Sequence, residues 1–147
     1  MAKLVNRKIP LLGRVAAWIP AISWMCFIFF LSSRSRISAS ESFWLNFAIF
    51  KTLHVIEYAT LALLNLFALV INNPNKSIRS LALKAAILAL IYGMSDEYHQ
   101  TFVPTREGTI RDVLIDSIGI FSVYSLAVIY EKNKKFFTSR LRSWKTQ

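Results

Sequence analysis

Cysteine, glycine and proline are scarce in this chain of 147 residues. The single cysteine, Cys26, excludes an internal disulfide framework and any metal site built from several cysteines. Only four glycines and four prolines occur, whereas 54% of the residues are hydrophobic, so the composition excludes a disordered or low-complexity chain. The length is that of one domain.

Acidic residues are also few: eight Asp and Glu stand against eighteen Lys and Arg, which gives a formal net charge of +10. Such a charge would fit a nucleic-acid-binding protein. However, the basic residues lie in the tails and in the gaps between apolar runs. In membrane proteins an excess of Lys and Arg on one side sets the orientation, and we therefore expect no nucleic-acid partner.

Four apolar runs are long enough to cross a bilayer as helices, which takes about 20 residues each. They cover residues 15–32, 52–71, 80–98 and 112–130. The first run is longer than the apolar part of a signal peptide and lacks a clear small-residue cleavage site, so we expect it to be retained. The prediction is an all-α bundle of four transmembrane helices, one domain over residues 1–147, with a short return loop between helices 3 and 4.

The distribution of basic residues predicts the orientation. Twelve Lys and Arg fall in the two tails and the second connecting segment, and five in the first and third connecting segments. Because Lys and Arg concentrate on the cytoplasmic side, the basic tails 1–14 and 131–147 should both be cytoplasmic.

Two segments have an amphipathic pattern that is typical of helices at a membrane surface. The first, "SESFWLNFAIFK", begins with Ser40 as a candidate helix cap and places several aromatic residues on one helical side. The second has Phe137, Leu141 and Trp144 at spacings of four and three among basic residues. For this C-terminal segment, a frayed basic tail is an open alternative.

With this topology every span brings polar side chains to the outer-leaflet end of the bundle. These are Arg34, His54, Glu57, Asp96, Glu97, Gln100, Arg106, Asp112 and Asp116. Ionisable groups in a membrane usually turn inward and pair, since exposing a charge there costs roughly 2.5–3.5 kcal/mol. Glu57 and Asp116 should lie deepest, with His54 and nearby arginines as partners. Pro104 should end the third helix and let a return loop bring Arg106 into the same pocket.

The run "SDEYHQTFVPTREGTIRDVLIDSIGI" resembles the VanZ-like family of small bacterial membrane proteins. "FFLSSRS" and "KTLHVIEYATLALL" resemble two further motifs of that family, so the resemblance covers most of the chain. Carried over by position, the family's polar residues fall on Ser33, His54, Glu57, Asp96, Glu97, Gln100, Arg106 and Asp112. Asp116 stands where the family frequently has Asn, and Thr105 where it frequently has Gly.

The resemblance implies a location in the bacterial cytoplasmic membrane and a link to low-level resistance to teicoplanin, a glycopeptide that binds cell-wall precursors. It implies no settled reaction. The polar cluster then favours a binding pocket for the head group of an envelope amphiphile: a phospholipid, a lipid-linked wall precursor or a lipoglycopeptide.

Several alternatives to a binding pocket stay open. The cluster could serve an enzyme that acts on such a lipid by acid–base chemistry, or with a divalent metal on His54, Glu57, Asp96 and Glu97. It could also be a purely structural network between helices. Transport is less favoured, because four spans without a repeat are not typical of transporters, although a homo-oligomer could supply more helices. We assign no cofactor or metal, and expect His99 to point away from the cluster.

Overall fold

The computed structural model of the protein describes the backbone of residues 10–35 and 41–144, and the side chains of these residues other than 135 and 137–144. These parts of the chain form helices and contain no strand. The helices are α1 (Leu11–Ala16), α2 (Ile19–Ser32), α3 (Phe43–Asn72), α4 (Ile78–Gln100) and α5 (Ile110–Trp144). Four stretches are long and apolar enough to cross a membrane, α1 and α2 together forming the first. The predicted all-α, four-span architecture is confirmed.

The first span contains a break that sequence patterning did not predict. Proline has no backbone N–H, and its ring clashes with the carbonyl four residues earlier. For Pro20 that carbonyl belongs to Ala16, the last residue of α1. The backbone N–H of Trp18 instead donates to the carbonyl of Val15 at 3.0 Å, and α2 begins at Ile19 with the proline in its first turn.

α3 begins earlier than the predicted span, because the aromatic segment before residue 52 is continuous with it. Its 30 residues correspond to about 45 Å of helix, against a hydrocarbon core of about 30 Å. Ser42 is the residue before the first turn, whereas the predicted cap, Ser40, lies outside the described residues. The predicted separate surface helix is thus the first part of the second span.

The last two helices also differ from prediction at their ends. α4 begins after Ser77, whose hydroxyl accepts a hydrogen bond from the backbone N–H of Ser80 at 3.2 Å. Residues 101–109 form the return loop, and α5 continues through the basic C-terminal segment to Trp144. The side chains of Phe137, Leu141 and Trp144 lie outside the described part, so the amphipathic pattern stays a prediction.

Apolar and polar side chains are distributed in the reverse of a water-soluble fold. Many large apolar residues are exposed, among them Phe29, Leu63 and Ile91. The buried polar residues are Ser32, Asn65, Asp96, Glu97, Gln100, Asp112 and Asp116. An apolar exterior is what a bilayer requires, and polar groups turned inward avoid the cost of exposure to acyl chains.

α3, α4 and α5 pack against one another most extensively, and α2 lies against α3 and α4. Alanines on α4, together with Gly93, let the helices approach closely, as small residues do in membrane bundles. Since successive spans run in opposite directions, the end of α2, the start of α3, the end of α4 and the start of α5 meet at one end of the bundle. We call this the polar end.

Candidate functional site

A cavity of about 200 Å³ opens at the polar end, between α2, α3, α4 and the return loop. Its walls combine apolar and charged side chains. They are Ile28, Leu31, Ser32, Arg34, Phe50, Leu53, His54, Glu57, Asp96, Gln100 and Arg106. Leu53 and Arg34 are exposed, so the cavity reaches the surface of the bundle. The structure therefore brings Glu57, Asp96 and Arg106, which are distant in sequence, to one cavity.

Asp96 is the centre of a hydrogen-bond network between three helices. Its Oδ1 accepts from the hydroxyl of Ser32 on α2 at 2.7 Å. Its Oδ2 accepts from the hydroxyl of Tyr58 on α3 at 3.3 Å and from Nε2 of Gln100 at 2.9 Å. Asp96 is buried, and these neutral donors satisfy its carboxylate without any ion pair among the described residues.

Ser32 takes the place that the sequence assigned to Ser33. The hydroxyl of Ser33 is exposed and donates to the carbonyl of Phe29 within its own helix at 2.7 Å. Ser32 follows the buried Ile28 by four residues and so lies on the inward side of α2. Because the residues around it are almost all apolar, no hydrophobic period distinguishes the inward serine from the outward one.

Glu97 holds the return loop to the end of α4. Its Oε2 accepts from the backbone N–H of Thr109 at 3.0 Å, and its Oε1 accepts from Nε2 of Gln100 at 3.2 Å. Gly108 lies directly on the backbone of the same residue: a Cβ there would be 2.0 Å from the carbonyl oxygen of Glu97. Only glycine allows this approach.

Two pairs of charged side chains join α3 to α5. Nζ of Lys51 lies 2.6 Å from Oδ1 of Asp112, and Nε of Arg111 lies 3.6 Å from the same oxygen. One turn deeper, Nδ1 of His54 is 3.1 Å from Oδ1 of Asp116. When Asp116 is ionised, its carboxylate can only accept, and the imidazole then donates from Nδ1. Lys51 was not among the predicted site residues, although it lies three residues before His54 on the same side of α3.

We predicted a carboxylate partner for Arg106, but it pairs with none among the residues that the structure describes. Its Nε donates to the carbonyl of Arg34 at 2.9 Å and its Nη2 to the carbonyl of Leu31 at 3.0 Å. These carbonyls belong to the end of α2, where helices leave acceptors without partners. Thr105, just before it, has φ of 67°. This left-handed conformation favours glycine, so the backbone of Thr105 is locally strained. The strained residue immediately precedes Arg106, whose side chain contacts the end of α2.

Arg34 lies at the exposed rim of the cavity. Its guanidinium carbon is 4.5 Å from the centre of the Phe30 ring, within the range of a cation–π contact. His99 lies on another side of α4: it is half-buried, its ring centre is 4.6 Å from that of Phe29, and it lines neither cavity. His99 thus contacts α2 outside the cluster.

Glu57 differs from the other buried acids. It is half-buried and lines the cavity, yet its carboxylate makes no hydrogen bond or ion pair with any residue that the structure describes. Its backbone carbonyl, by contrast, accepts from Nε1 of Trp24 at 3.0 Å, which fixes the helix at this point. The backbone at Glu57 is therefore fixed, while its carboxylate oxygens are open to the cavity.

A smaller cavity of about 40 Å³ adjoins the first. Both cavities are lined by Phe50, His54, Gln100 and Arg106. The smaller one adds mainly charged and polar groups: Lys51, Glu107, Thr109, Arg111 and Asp112. Together the two form a recess with an apolar side at α2 and a basic side at the start of α5.

One set of side chains among the described residues has the spacing of a metal-ligand group. His54, Glu97 and Asp116, from three different helices, each place one potential ligand atom within 4.8 Å of the others. This set differs from the four residues named from the sequence, since Glu57 and Asp96 do not belong to it and Asp116 does.

Comparison with known proteins gives one match. A family model described as VanZ/LLP1 matches residues 17–131. No curated protein and no solved structure matches the chain. The matched range contains α2, α3, α4, the return loop and every residue of the two cavities.

Proposed function

The chain belongs to the VanZ/LLP1 family, and from this premise we propose that the recess at its polar end binds the head group of an envelope amphiphile. The ligand class is an amphiphile that carries an amine together with a phosphate or carboxylate. Phospholipids with an ethanolamine head group, lipid-linked wall precursors and lipoglycopeptides share this chemistry. The observation that carries the proposal is the carboxylate of Glu57, which faces the cavity without a partner among the described residues.

An amine would complete the surroundings of Glu57. An ionisable group inside a membrane protein usually pairs with another group, and Asp96, Asp112 and Asp116 all have partners. An ammonium group has three N–H donors, so it could bind Glu57 without disturbing the network of Asp96. Charge-assisted hydrogen bonds of this type contribute about 1.5–3 kcal/mol.

The anionic part of the ligand would lie toward the basic side of the recess. The guanidinium group of Arg106 has five N–H donors. Two of them bind carbonyl groups at the end of α2, which leaves three for a ligand. Its orientation is already fixed by those bonds, so less side-chain freedom is lost on binding. The smaller cavity is lined by Lys51, Arg106 and Arg111 and by the two acids Glu107 and Asp112, which leaves one formal positive charge in excess there.

The size of the cavity limits what can enter. About 200 Å³ corresponds to six or seven water molecules at about 30 Å³ each. Drug-sized ligands occupy pockets of about 300–1,000 Å³. A head group fits this space, whereas a whole glycopeptide does not, and the exposed apolar side chains beside the opening would contact an acyl chain.

A purely structural role explains most of the cluster but not Glu57. Interhelical hydrogen bonds in membranes contribute about 0.6 kcal/mol on average, and those of Asp96 and Asp116 connect α2, α4 and α5 to their neighbours. Glu57 makes no such bond with a residue that the structure describes.

We further propose that the polar end faces outward and that head-group binding there underlies any effect of the protein on teicoplanin susceptibility.

The test is a titration of the purified protein, followed by native mass spectrometry. The ligands are phosphatidylethanolamine, phosphatidylcholine and phosphatidylglycerol with identical acyl chains, and a lipid-linked wall precursor that bears a free amine. We expect the amine-bearing ligands to bind more tightly than the other two, because a quaternary ammonium has no N–H donor and glycerol has no charge. Their relative affinities identify the ligand.

Glu57→Gln should weaken binding of the amine-bearing ligands about 10- to 100-fold, which is the effect of losing about 1.5–3 kcal/mol. Glu41→Gln is the matched control, because Glu41 is exposed near the start of α3 and lines neither cavity. Equal binding by both variants, or no preference for an amine, would contradict the proposal. The same pair of variants tests teicoplanin susceptibility in cells at equal protein levels.

A further inference from the structure

We propose that His54, Glu97 and Asp116 bind one divalent transition-metal ion where α3, α4 and α5 meet. One nitrogen and two carboxylate groups converge there, with potential ligand atoms within 4.8 Å of one another. The proposal is independent of head-group binding, because only His54 of the three lines the larger cavity.

An unsatisfied oxygen atom points to a missing ligand at this position. Asp116 is fully buried, and its Oδ2 has no hydrogen-bond partner in the part of the chain that the structure describes. Its other oxygen accepts from His54. A buried carboxylate oxygen without a partner is costly, and the great majority of buried polar atoms do have one. A metal ion bound by this carboxylate would remove the cost.

One pair of candidate ligand atoms already has the spacing of a coordination sphere. Metal–ligand bonds of about 2.0–2.1 Å in a tetrahedral site place neighbouring ligand atoms about 3.3 Å apart. Nδ1 of His54 and Oδ1 of Asp116 are 3.1 Å apart. Binding of the metal by Nδ1 would require the proton on that nitrogen to leave for Nε2 or for solvent, and a small movement would then replace the hydrogen bond by one metal bond from each side chain.

The third ligand is already oriented by surrounding groups. The backbone N–H of Thr109 and the side-chain amide of Gln100 donate to the two oxygens of Glu97. Hydrogen bonds from outer groups are the usual means by which metal-binding side chains are fixed. The carboxylate is thus held at the end of α4 before a metal arrives.

The two buried carboxylates of the triad have little compensating charge. Lys51 and Arg111 pair with Asp112, and Arg106 donates to backbone carbonyls. Among the described residues no Lys or Arg forms an ion pair with Glu97 or Asp116, and the one charged partner of Asp116 is His54, through a single oxygen. Burying a charge is costly unless it is paired, and a divalent ion would add compensating charge for both acids.

The ligand types indicate which metals fit. An imidazole with two carboxylates suits Zn²⁺ and its first-row neighbours, whereas Mg²⁺ and Ca²⁺ prefer oxygen ligands only. Three protein ligands leave a fourth position open. Since His54 also lines the cavity, that position could be reached by water or by a bound ligand.

The experiment uses the full chain in detergent, purified through a tag without histidine and treated with a chelator. It is dialysed against Zn²⁺ for elemental analysis, and titrated with Co²⁺, whose visible absorption reports coordination by protein ligands. We expect about one ion per chain and Co²⁺ bands that saturate at that ratio. No saturable binding by the wild-type protein would overturn the proposal, whatever the behaviour of the variants.

Variants then locate the ion. Asp116→Asn keeps the size of the side chain and should weaken binding at least tenfold, as should Glu97→Gln. His99→Gln and Glu41→Gln are controls of the same residue types outside the triad and outside both cavities, and both should bind as the wild type does. If Asp116→Asn fails to fold, as judged by circular dichroism, Glu97→Gln decides. Loss of binding in His99→Gln, with Asp116→Asn unaffected, would contradict the assignment.

Discussion

α3 and α5 lie close together at Gly119, and this contact determines whether the site can form. A Cβ at this position would lie 2.1 Å from the carbonyl oxygen of Val55 and 3.0 Å from the backbone nitrogen of Ala59. Ordinary carbon–oxygen contacts begin at about 3.3–3.6 Å. Gly119→Ala therefore requires the two helices to separate by about 1 Å, because both sides of the contact are backbone.

This separation would act directly on the candidate site. Gly119 follows Asp116 by three residues on the same helix, and Val55 follows His54. An added separation of about 1 Å would lengthen the 3.1 Å contact between Nδ1 of His54 and Oδ1 of Asp116 to about 4 Å, beyond hydrogen-bond range. Overpacking of this kind costs about 1–3 kcal/mol.

Gly93→Ala provides the matched control. Gly93 is also a buried glycine within a helix, but its added Cβ would be 3.1 Å from Cε1 of Tyr58, a side-chain atom that can shift slightly. Both variants gain the same helix propensity, about 1 kcal/mol, so their difference isolates the contact between α3 and α5. Unfolding in mixed micelles, followed by circular dichroism, should show Gly119→Ala less stable than Gly93→Ala by about 1–3 kcal/mol. Equal stability of the two would refute the packing described here.

Two further predictions concern α2 and the orientation. Ser32→Ala should destabilise the protein by about 0.6 kcal/mol and by no more than about 1.7, because it removes the donor to Oδ1 of Asp96. Ser33→Ala should have no measurable effect in the same unfolding assay. The reverse order of the two effects would show that the rotation of α2 is not the one described here. The orientation is tested by cysteine labelling in a Cys26→Ser background, because Cys26 is exposed. A cysteine introduced at Glu107 should react with a membrane-impermeant thiol reagent from outside the cell, and one at Lys134 only after permeabilisation. The opposite pattern would reverse the orientation.

The number of spans and the common level of the polar residues could be predicted from the sequence. Length and apolar composition fix a membrane-crossing helix, and helices of alternating direction bring "HVIE", "DEYHQ" and "RDVLID" to the same end of the bundle. The spacing of His54 and Tyr58, four residues apart, was a further signal that Tyr58 shares the inward side of α3.

The pairing of the polar residues could not be predicted. Arg106 donates to the end of α2 and not to an acid, since the return loop positions it beside carbonyl groups that a sequence does not reveal. The choice between Ser32 and Ser33 depends on the rotation of α2, and an almost uniformly apolar helix carries no periodic signal for rotation.

The break at Pro20, by contrast, could have been predicted from the sequence, because a proline inside an apolar run interrupts the hydrogen bond to the residue four positions earlier.

The metal-ligand group depends on distances between three helices. The sequence alone allowed several acids at the polar end to be the partner of His54, and Glu57 is the one closest to it along the chain. In the structure Asp116 takes that place, whereas Glu57 faces the cavity. Proximity in sequence was therefore a poor guide to which carboxylates lie in the same candidate metal-ligand group as His54.

The most direct test of head-group binding is to identify what the protein retains from its own membrane. Wild type, Glu57→Gln and Glu41→Gln would be purified in parallel, and the retained lipids measured by quantitative mass spectrometry. We predict that the wild type and Glu41→Gln retain an amphiphile with an amine and a phosphate or carboxylate, and that Glu57→Gln loses it. Identical lipid profiles for all three proteins would contradict the binding role assigned to the cavity.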